Sequence, residues 1–398
     1  MDERIREKVF HAIGEMYVPK EVVYYLGAGA SFNGLPLVKN FEEQMEKQVE
    51  WLLSEDVQKK LKGITTEEIN HYQNNVAEIS QNSKNHASID TYAKKLYITN
   101  RKKYEILKIT LSVFLTIEQL RNGPDFRYDS FFASIIGNTA DDLPANFGII
   151  SWNYDCHIEL AYMKYAEEYR LQKVQNLLHI NSKNHFIHRA LGFFNVLKLN
   201  GSATIINEGE NILGLSQAII HDWPKSFSSD NIKQIKEVFD SYVNLFSAID
   251  NNLKDLEQKE NSINCNLSFC WEKEFKMANN AVIETGIEMI QTAKNIVVIG
   301  YSFPFFNRDI DEAFFKSMRA DAVVYIQDPR AEGIVNSLKE RFPELENNIK
   351  PITLNIDDNT ALPLSRRIDG FFIPTDIKMG GSPEFYKITV PKFSESQH

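Results

Sequence analysis

Val22-Val23-Tyr24-Tyr25-Leu26-Gly27-Ala28-Gly29-Ala30-Ser31 is the stretch on which the reading of this chain turns. Its first half is an unbroken run of β-branched, aromatic and aliphatic residues, the composition of a strand covered on both faces. Its second half is a turn of small residues. Small side chains let the backbone approach a phosphate closely, and a following helix aims free N–H groups at an anion. A helix is predicted from about Val38 to Leu53, entered past Leu35-Pro36. Taken alone, Gly27-Ala28-Gly29 reads equally well as a tight strand-to-helix turn.

The same grammar recurs outward from this stretch. Phe147-Gly148-Ile149-Ile150-Ser151-Trp152 reads as a second buried strand, ending in Asn153-Tyr154-Asp155 with a helix from Cys156 to about Tyr169. A shorter strand, Asn195 to Leu199, ends in Asn200-Gly201-Ser202. The last third alternates strictly: strand Asn295 to Gly300, helix Arg308 to Met318, strand Ala322 to Ile326, helix Ala331 to Phe342, strand Ile349 to Asn355. Alternation at this spacing predicts an α/β fold with a Rossmann-like parallel sheet. One further edge strand, Tyr386 to Val390, is expected near the end of the chain.

Two segments interrupt the alternation. Ser54 to Arg121 is polar, with apolar residues at helical spacing in Thr91 to Ile98 and Tyr104 to Leu120. Within it, Gln73 to Asn85 reads as a loop or a solvated helix end. Asp230 to Lys259 is charged and helical. The expected division is a Rossmann domain over 1–54 and 126–390, a helical insertion over 55–125, a second and mainly helical insertion over 203–290, and a tail over 391–398.

The 398 residues are 43% hydrophobic and 25% charged, enough to bury a core without disulfide staples. The net charge of −10 disfavours direct nucleic-acid binding, which draws on clustered Lys and Arg. The one basic cluster, Arg101-Lys102-Lys103, reads as a solvated helix face. Three cysteines, Cys156, Cys265 and Cys270, suit a reducing compartment. Met1 to Lys8 lacks a signal-peptide pattern and no apolar run reaches membrane-spanning length, so a cytoplasmic protein is expected.

Five segments together resemble the sirtuins, in the form found in bacterial sirtuin-like proteins. Gly27-Ala28-Gly29-Ala30-Ser31 with Asn33-Gly34-Leu35-Pro36 is similar to the sirtuin Gly-Ala-Gly signature and its Gly-Ile-Pro-like segment. Ser151-Trp152-Asn153-Tyr154-Asp155 resembles Thr-Gln-Asn-Ile-Asp, and Leu199-Asn200-Gly201-Ser202 resembles Leu-His-Gly-Ser. Ile299-Gly300-Tyr301-Ser302-Phe303-Pro304 is similar to the Gly-Tyr-Ser-Phe segment of the bacterial proteins, and Ser88-Ile89-Asp90-Thr91-Tyr92 to a segment of their helical insertion.

The resemblance implies NAD as substrate or ligand, seated by Gly27, Ala28, Gly29, Ser31, Asn33, Leu35, Gly300 and Ser302. It implies that Asn153 holds the nicotinamide ribose, with Asp155 fixing ribose or the neighbouring loops. An amide suits the first task because it donates and accepts without charge. The alternative for Asn153 and Asp155 is capping of the helix that follows. The implied activity is cleavage of NAD to nicotinamide and ADP-ribose, as in effectors of bacterial anti-phage defence that deplete NAD. Homo-oligomerisation or a partner defence protein would control it. ADP-ribose is the other implied ligand.

The chain departs from the family at Asn200, where the sirtuin His acts as general base. An amide cannot take that proton. Three readings follow: a NAD or ADP-ribose sensor without turnover, another base such as His157, His185 or His188, or an inactivating His-to-Asn change at this position. The two CxxC pairs of zinc-bearing deacylases are missing, so no zinc is expected and deacylation is the least favoured activity. Asp328 is read either as a ligand to the adenosine ribose or as a turn residue before Pro329. Asp309 and Asp311 are read as complementing a helix dipole, and Phe303-Pro304-Phe305-Phe306 as packing.

Overall fold

The computed structural model describes residues 18–61, 64–86, 88–182, 192–208, 216–228, 230–252, 263–273, 275–352 and 370–374. In chain order the strands are β1 (Val22–Leu26), β2 (Phe147–Ser151), β3 (Ile180–Ser182), β4 (Asn195–Lys198), β5 (Ile205–Glu208), β6 (Ser216–Ala218), β7 (Ile263–Cys265), β8 (Asn295–Ile299), β9 (Val323–Gln327) and β10 (Ile349–Pro351). Seven of them form one parallel sheet in the order β10-β9-β8-β1-β2-β4-β3. β1 is central because both its edges are paired: Val22 aligns with Phe147 on one side and with Asn295 on the other. All five of its residues are buried, as a continuous apolar run requires.

The order of addition matters for the site. From β1 the chain adds β2, then the edge strand β3, then β4 between those two, and returns to the opposite edge of β1 for β8, β9 and β10. Loops leaving the carboxyl ends of β1, β2 and β8 therefore diverge at a topological switch point, where open α/β sheets form their crevice.

Strand alternation sorts the core into two layers. Val22, Tyr24, Leu26, Phe147 and Ile149 face a cluster shared with the N-terminal helices. Val23, Tyr25, Ile150 and Val298 face the helices Asn280–Thr292, Arg308–Lys316 and Ala331–Arg341. The helical region after the first turn comprises Phe41–Leu53, Glu55–Lys60, Thr66–Ser83, Ile89–Thr99 and Arg101–Asn122. In the last of these every residue from Leu107 to Leu120 is buried, so the helix is a core element continuous with the sheet. Arg101-Lys102-Lys103 is exposed at its start, as expected of a solvated face.

Of the two readings of Gln73 to Asn85 the solvated helix end holds: the segment is the second half of Thr66–Ser83, a helix begun by a Thr65–Glu68 capping box, with its C-cap at Lys84. Several expectations need correction. The helix after Asp155 is shorter than expected, His157–Ala166, and ends where Glu167 turns left-handed at φ 50°. Residues 203–290 are not mainly helical before the Ile232–Asn252 helix. They hold the antiparallel sheet β6-β5-β7, whose three- and four-residue strands are too short for a period to register. The edge strand β3 was too short to read for the same reason. Tyr386 to Val390 lies outside the described residues, as do His185 and His188. No helix among the described residues is long and apolar enough to cross a membrane.

Candidate functional site

The carboxyl ends of β1, β2, β4 and β8 open into a cleft of about 930 Å³. That is within the range of small-molecule and cofactor sites, ~300–1,000 Å³. Gly27, Ala28, Ser31 and Leu35 line it after β1, Asn153 and Asp155 after β2, Asn200 after β4, and Gly300 and Ser302 after β8. The helical region supplies the facing wall, with Lys39, Glu46, Lys84, His86 and Asp90 among its residues. Thus nine of the sequence-derived positions share one space. Gly29, Asn33 and Asp328 do not line it.

The turn after β1 is built differently from the expected phosphate loop. A four-residue 3-10 helix, Ala28–Ser31, follows β1, and the next α-helix begins only at Phe41. The amides of Gly27 and Gly29 donate to the carbonyls of Ile299 (3.0 Å) and Gly300 (2.9 Å). A Cβ on Gly27 would stand 2.6 Å from the Gly300 oxygen, and one on Gly29 2.7 Å from the Gly300 Cα. Gly300 itself has φ +59°, a conformation that favours glycine. The glycines are therefore required where two loops of the sheet touch. The amides of Gly27 and Gly29 are already committed there.

Behind the turn lies a buried ion pair that sequence reasoning missed. Arg127 donates to the carbonyls of Gly29 (2.8 Å) and Ala30 (3.1 Å) and pairs with Asp125 at 2.6 Å. Asp125 accepts from the Asn33 amide at 2.9 Å and side chain at 3.2 Å. Burial would raise the Asp125 pKa, but the Arg127 guanidinium and these amide donors hold it below the usual carboxylate value. Asn33, expected to touch the ligand, is instead an exposed part of this clamp.

Asn153 and Asp155 make different contacts. Asn153 donates from Nδ2 to Ser31 Oγ at 3.2 Å, and Ser31 Oγ lies 3.2 Å from the Tyr128 hydroxyl. Asn153 thus faces the β1 turn and does not cap the next helix. Asp155 stands one residue before the N-cap, Cys156, and its Oδ1 accepts the His157 amide at 3.0 Å. His157 is wholly buried, receives the Asp125 amide on Nδ1, and does not line the cleft. Burial lowers its pKa.

Asn200 donates from Nδ2 to the Trp152 carbonyl at 2.8 Å. Its Oδ1 is buried with no hydrogen-bond partner among the described residues, although Asn200 lines the cleft. A buried acceptor left open is costly unless something donates to it. Asp328, by contrast, accepts the Arg330 amide at 2.8 Å and receives the Ala331 amide on its carbonyl, so the turn reading describes it. Ser302 lines the cleft with its side chain exposed. The aromatic run divides: Phe303 packs against Tyr25 and Tyr301, while Phe305 lines the cleft and is 77% exposed.

Beneath the floor sits a polar hub centred on Asp311. Its Oδ1 accepts from the Tyr25 hydroxyl at 2.5 Å, and both its oxygens accept from Tyr301 at 3.1 Å. Trp152 donates to the Tyr25 hydroxyl at 2.8 Å and Asn307 to Tyr301 at 2.8 Å. Burial pushes the Asp311 carboxyl up to about 7, against the pull of these donors. The residue was expected to complement a helix dipole; it instead joins β1, the β2 end and the β8 loop. Its place one turn into Arg308–Lys316 gave no sign of this, because all its partners lie on other elements or across a loop.

A second buried pair underlies the other side. Lys198 donates to Glu159 at 2.5 Å and to the Asp155 carbonyl at 2.7 Å. Cys156 lies beside it, against Ser202 and Thr204. Burial pushes this thiol up to about 12, so it is held as the neutral form. Among the described residues no three His, Cys, Asp or Glu side chains gather as a metal-holding group.

No protein-family model matches this chain, and no curated protein matches it.

Proposed function

We propose that the chain is a sirtuin-like enzyme that hydrolyses NAD to nicotinamide and ADP-ribose. The observation that carries the reading is the convergence of Ser31, Asn153 and Asn200, which come from three different strand ends, on one cleft at the switch point of a parallel sheet. Bridged ribose hydroxyls need both donors and acceptors, and two amides with a hydroxyl supply both without charge. The unpartnered Asn200 Oδ1 is an acceptor of the kind a ribose hydroxyl would satisfy. Cleavage proceeds through an oxocarbenium-like state, for which holding the ribose in place is the larger part of the enzyme's task.

NAD depletion is toxic to a cell, so such an activity needs a trigger. The role we propose is an effector of anti-phage defence, held off until self-assembly or a partner engages the helical region.

A second reading, a NAD or ADP-ribose sensor without turnover, is favoured by Asn200 itself, since an amide has no basic lone pair at neutral pH. Calorimetry with NAD and with ADP-ribose, followed by chromatography of nicotinamide, separates the two. Binding with release that is abolished in Asn153→Ala supports the enzyme. Binding without release supports the sensor. Absence of binding by either nucleotide overturns both.

A further inference from the structure

We propose that Asp90, contributed by the helical region, is the general base that accepts the proton of the attacking water. This rests on the hydrolase reading above and replaces the histidine that Asn200 leaves missing. Three observations carry it. Asp90 lines the same cleft as Asn153 and Asn200, in the first turn of Ile89–Thr99. Its carboxylate makes no hydrogen bond or ion pair among the described residues, although Ser88 caps that helix through Thr91. Tyr154, next to Asn153, and Cys270 line the same cleft; burial raises the pKa of both, and the nearby Asp90 charge adds to it.

The other carboxylates of the cleft are largely engaged. Asp155 holds the His157 amide, Glu46 bonds Ser80 and Lys84, and Glu43 pairs with Lys47. The His86 ring bonds the Asn82 carbonyl through Nδ1. The Cys270 thiol donates to Phe306 and Asn307 and is pushed up to about 12, so it is no base near neutrality. Desolvation moves the Asp90 carboxyl up to about 6, within reach of the pH at which a base must be both deprotonated and able to bind a proton. Asn200 then keeps a different task, offering Oδ1 to a ribose hydroxyl.

In the step, the C1′–N bond breaks and its electron pair leaves with neutral nicotinamide. A water oxygen bonds to C1′, and one water proton passes to the Asp90 carboxylate, which later releases it to solvent. No other reactant is needed.

The test uses the full chain with Asp90→Asn and Asp90→Glu, reading NAD affinity by calorimetry and nicotinamide by chromatography. Asp90→Asn should cut release by ~100-fold or more, while Kd for NAD changes by less than about threefold. Asp90→Glu should restore part of the rate, and added formate should raise the rate of Asp90→Ala. Three results overturn the assignment and leave nucleotide binding in place: an unchanged rate in Asp90→Asn, binding without release by the unsubstituted chain, or a loss confined to His86→Gln or Glu42→Gln. Failure of the unsubstituted chain to bind NAD or ADP-ribose overturns the hydrolase reading and this assignment with it.

Discussion

Asn153 Nδ2 donates to Ser31 Oγ across 3.2 Å, a side-chain hydrogen bond that ties the end of β2 to the turn after β1. Ser31 is 1% exposed and Asn153 7%, so neither gains a water if the other is removed. Ser31→Ala should lower stability by about 1 kcal/mol. It should weaken NAD binding more than it alters the fold, because the amide of Asn153 is then free to rotate. Urea unfolding and calorimetry on the same preparation measure the two effects.

Gly300→Ala places a Cβ 2.3 Å from the Gly29 carbonyl carbon and 2.4 Å from the Ala30 nitrogen, at φ +59°. The left-handed backbone alone costs ~1–2 kcal/mol, and the clash adds to it. The variant should melt several degrees lower, with NAD binding lost. Gly333→Ala, which meets nothing within 4 Å on the exposed face of the Ala331–Arg341 helix, should leave NAD binding unchanged and raise stability by about 0.5–1 kcal/mol.

Asp311 makes stability depend on pH. Its folded pKa is raised to about 7 from the ordinary 3.8. The folded state therefore binds more protons than the unfolded chain between these values, and stability falls as pH rises through that window. The contribution is fully present below about pH 4 and lost above about pH 7. Melting temperatures measured from pH 5 to pH 8 should fall, and Asp311→Asn should flatten that slope. A slope unchanged in Asp311→Asn would exclude this carboxyl as the source.

Lys198 and Glu159 are buried together, with side chains 2% and 0% exposed. Burial would lower the Lys198 pKa, but the Glu159 carboxylate beside it holds it above the ordinary value. Lys198→Met leaves Glu159 charged and unpaired and should cost ~3–5 kcal/mol. The double substitution with Glu159→Leu should recover much of that loss in denaturant unfolding. The lost Lys198 bond to the Asp155 carbonyl would still disturb the cleft in both.

Asn200→His tests the position from the opposite direction. With Asp90 as the base and Asn200 Oδ1 offered to the ribose, nicotinamide release should not rise, although imidazole titrates near neutrality. Chromatography of nicotinamide from both proteins checks it, and no rise over the unsubstituted chain would show that Asn200 is matched to a site built without that base.

The sheet was legible because its central strands are buried on both faces. Val22 to Leu26, Phe147 to Ser151 and Asn295 to Ile299 are buried throughout and mostly apolar, and small or polar residues follow within two positions. β5, β6 and β7 have no such signal, since short antiparallel strands draw their order from their partners. The strand-end residues of the cleft were legible too, since Ser31, Asn153 and Asn200 each follow a readable strand. What could not be read was the support. Arg127 reaching Gly29, and Asp311 reaching Tyr25, are contacts across 98 and 286 positions. Asp90 was visible as a residue of a helical segment, but nothing local indicated that the segment folds over the cleft.

The meeting of Gly27 and Gly29 with Gly300 has a consequence for how this protein can change. Each fills the space a methyl group would need on the other loop, so none of the three can be exchanged alone. The floor is inherited as a unit. Drift is diverted to the opposite side, where Lys39 and Lys84 hold no such mutual lock, and it is there that the choice of what enters can be retuned without rebuilding the base.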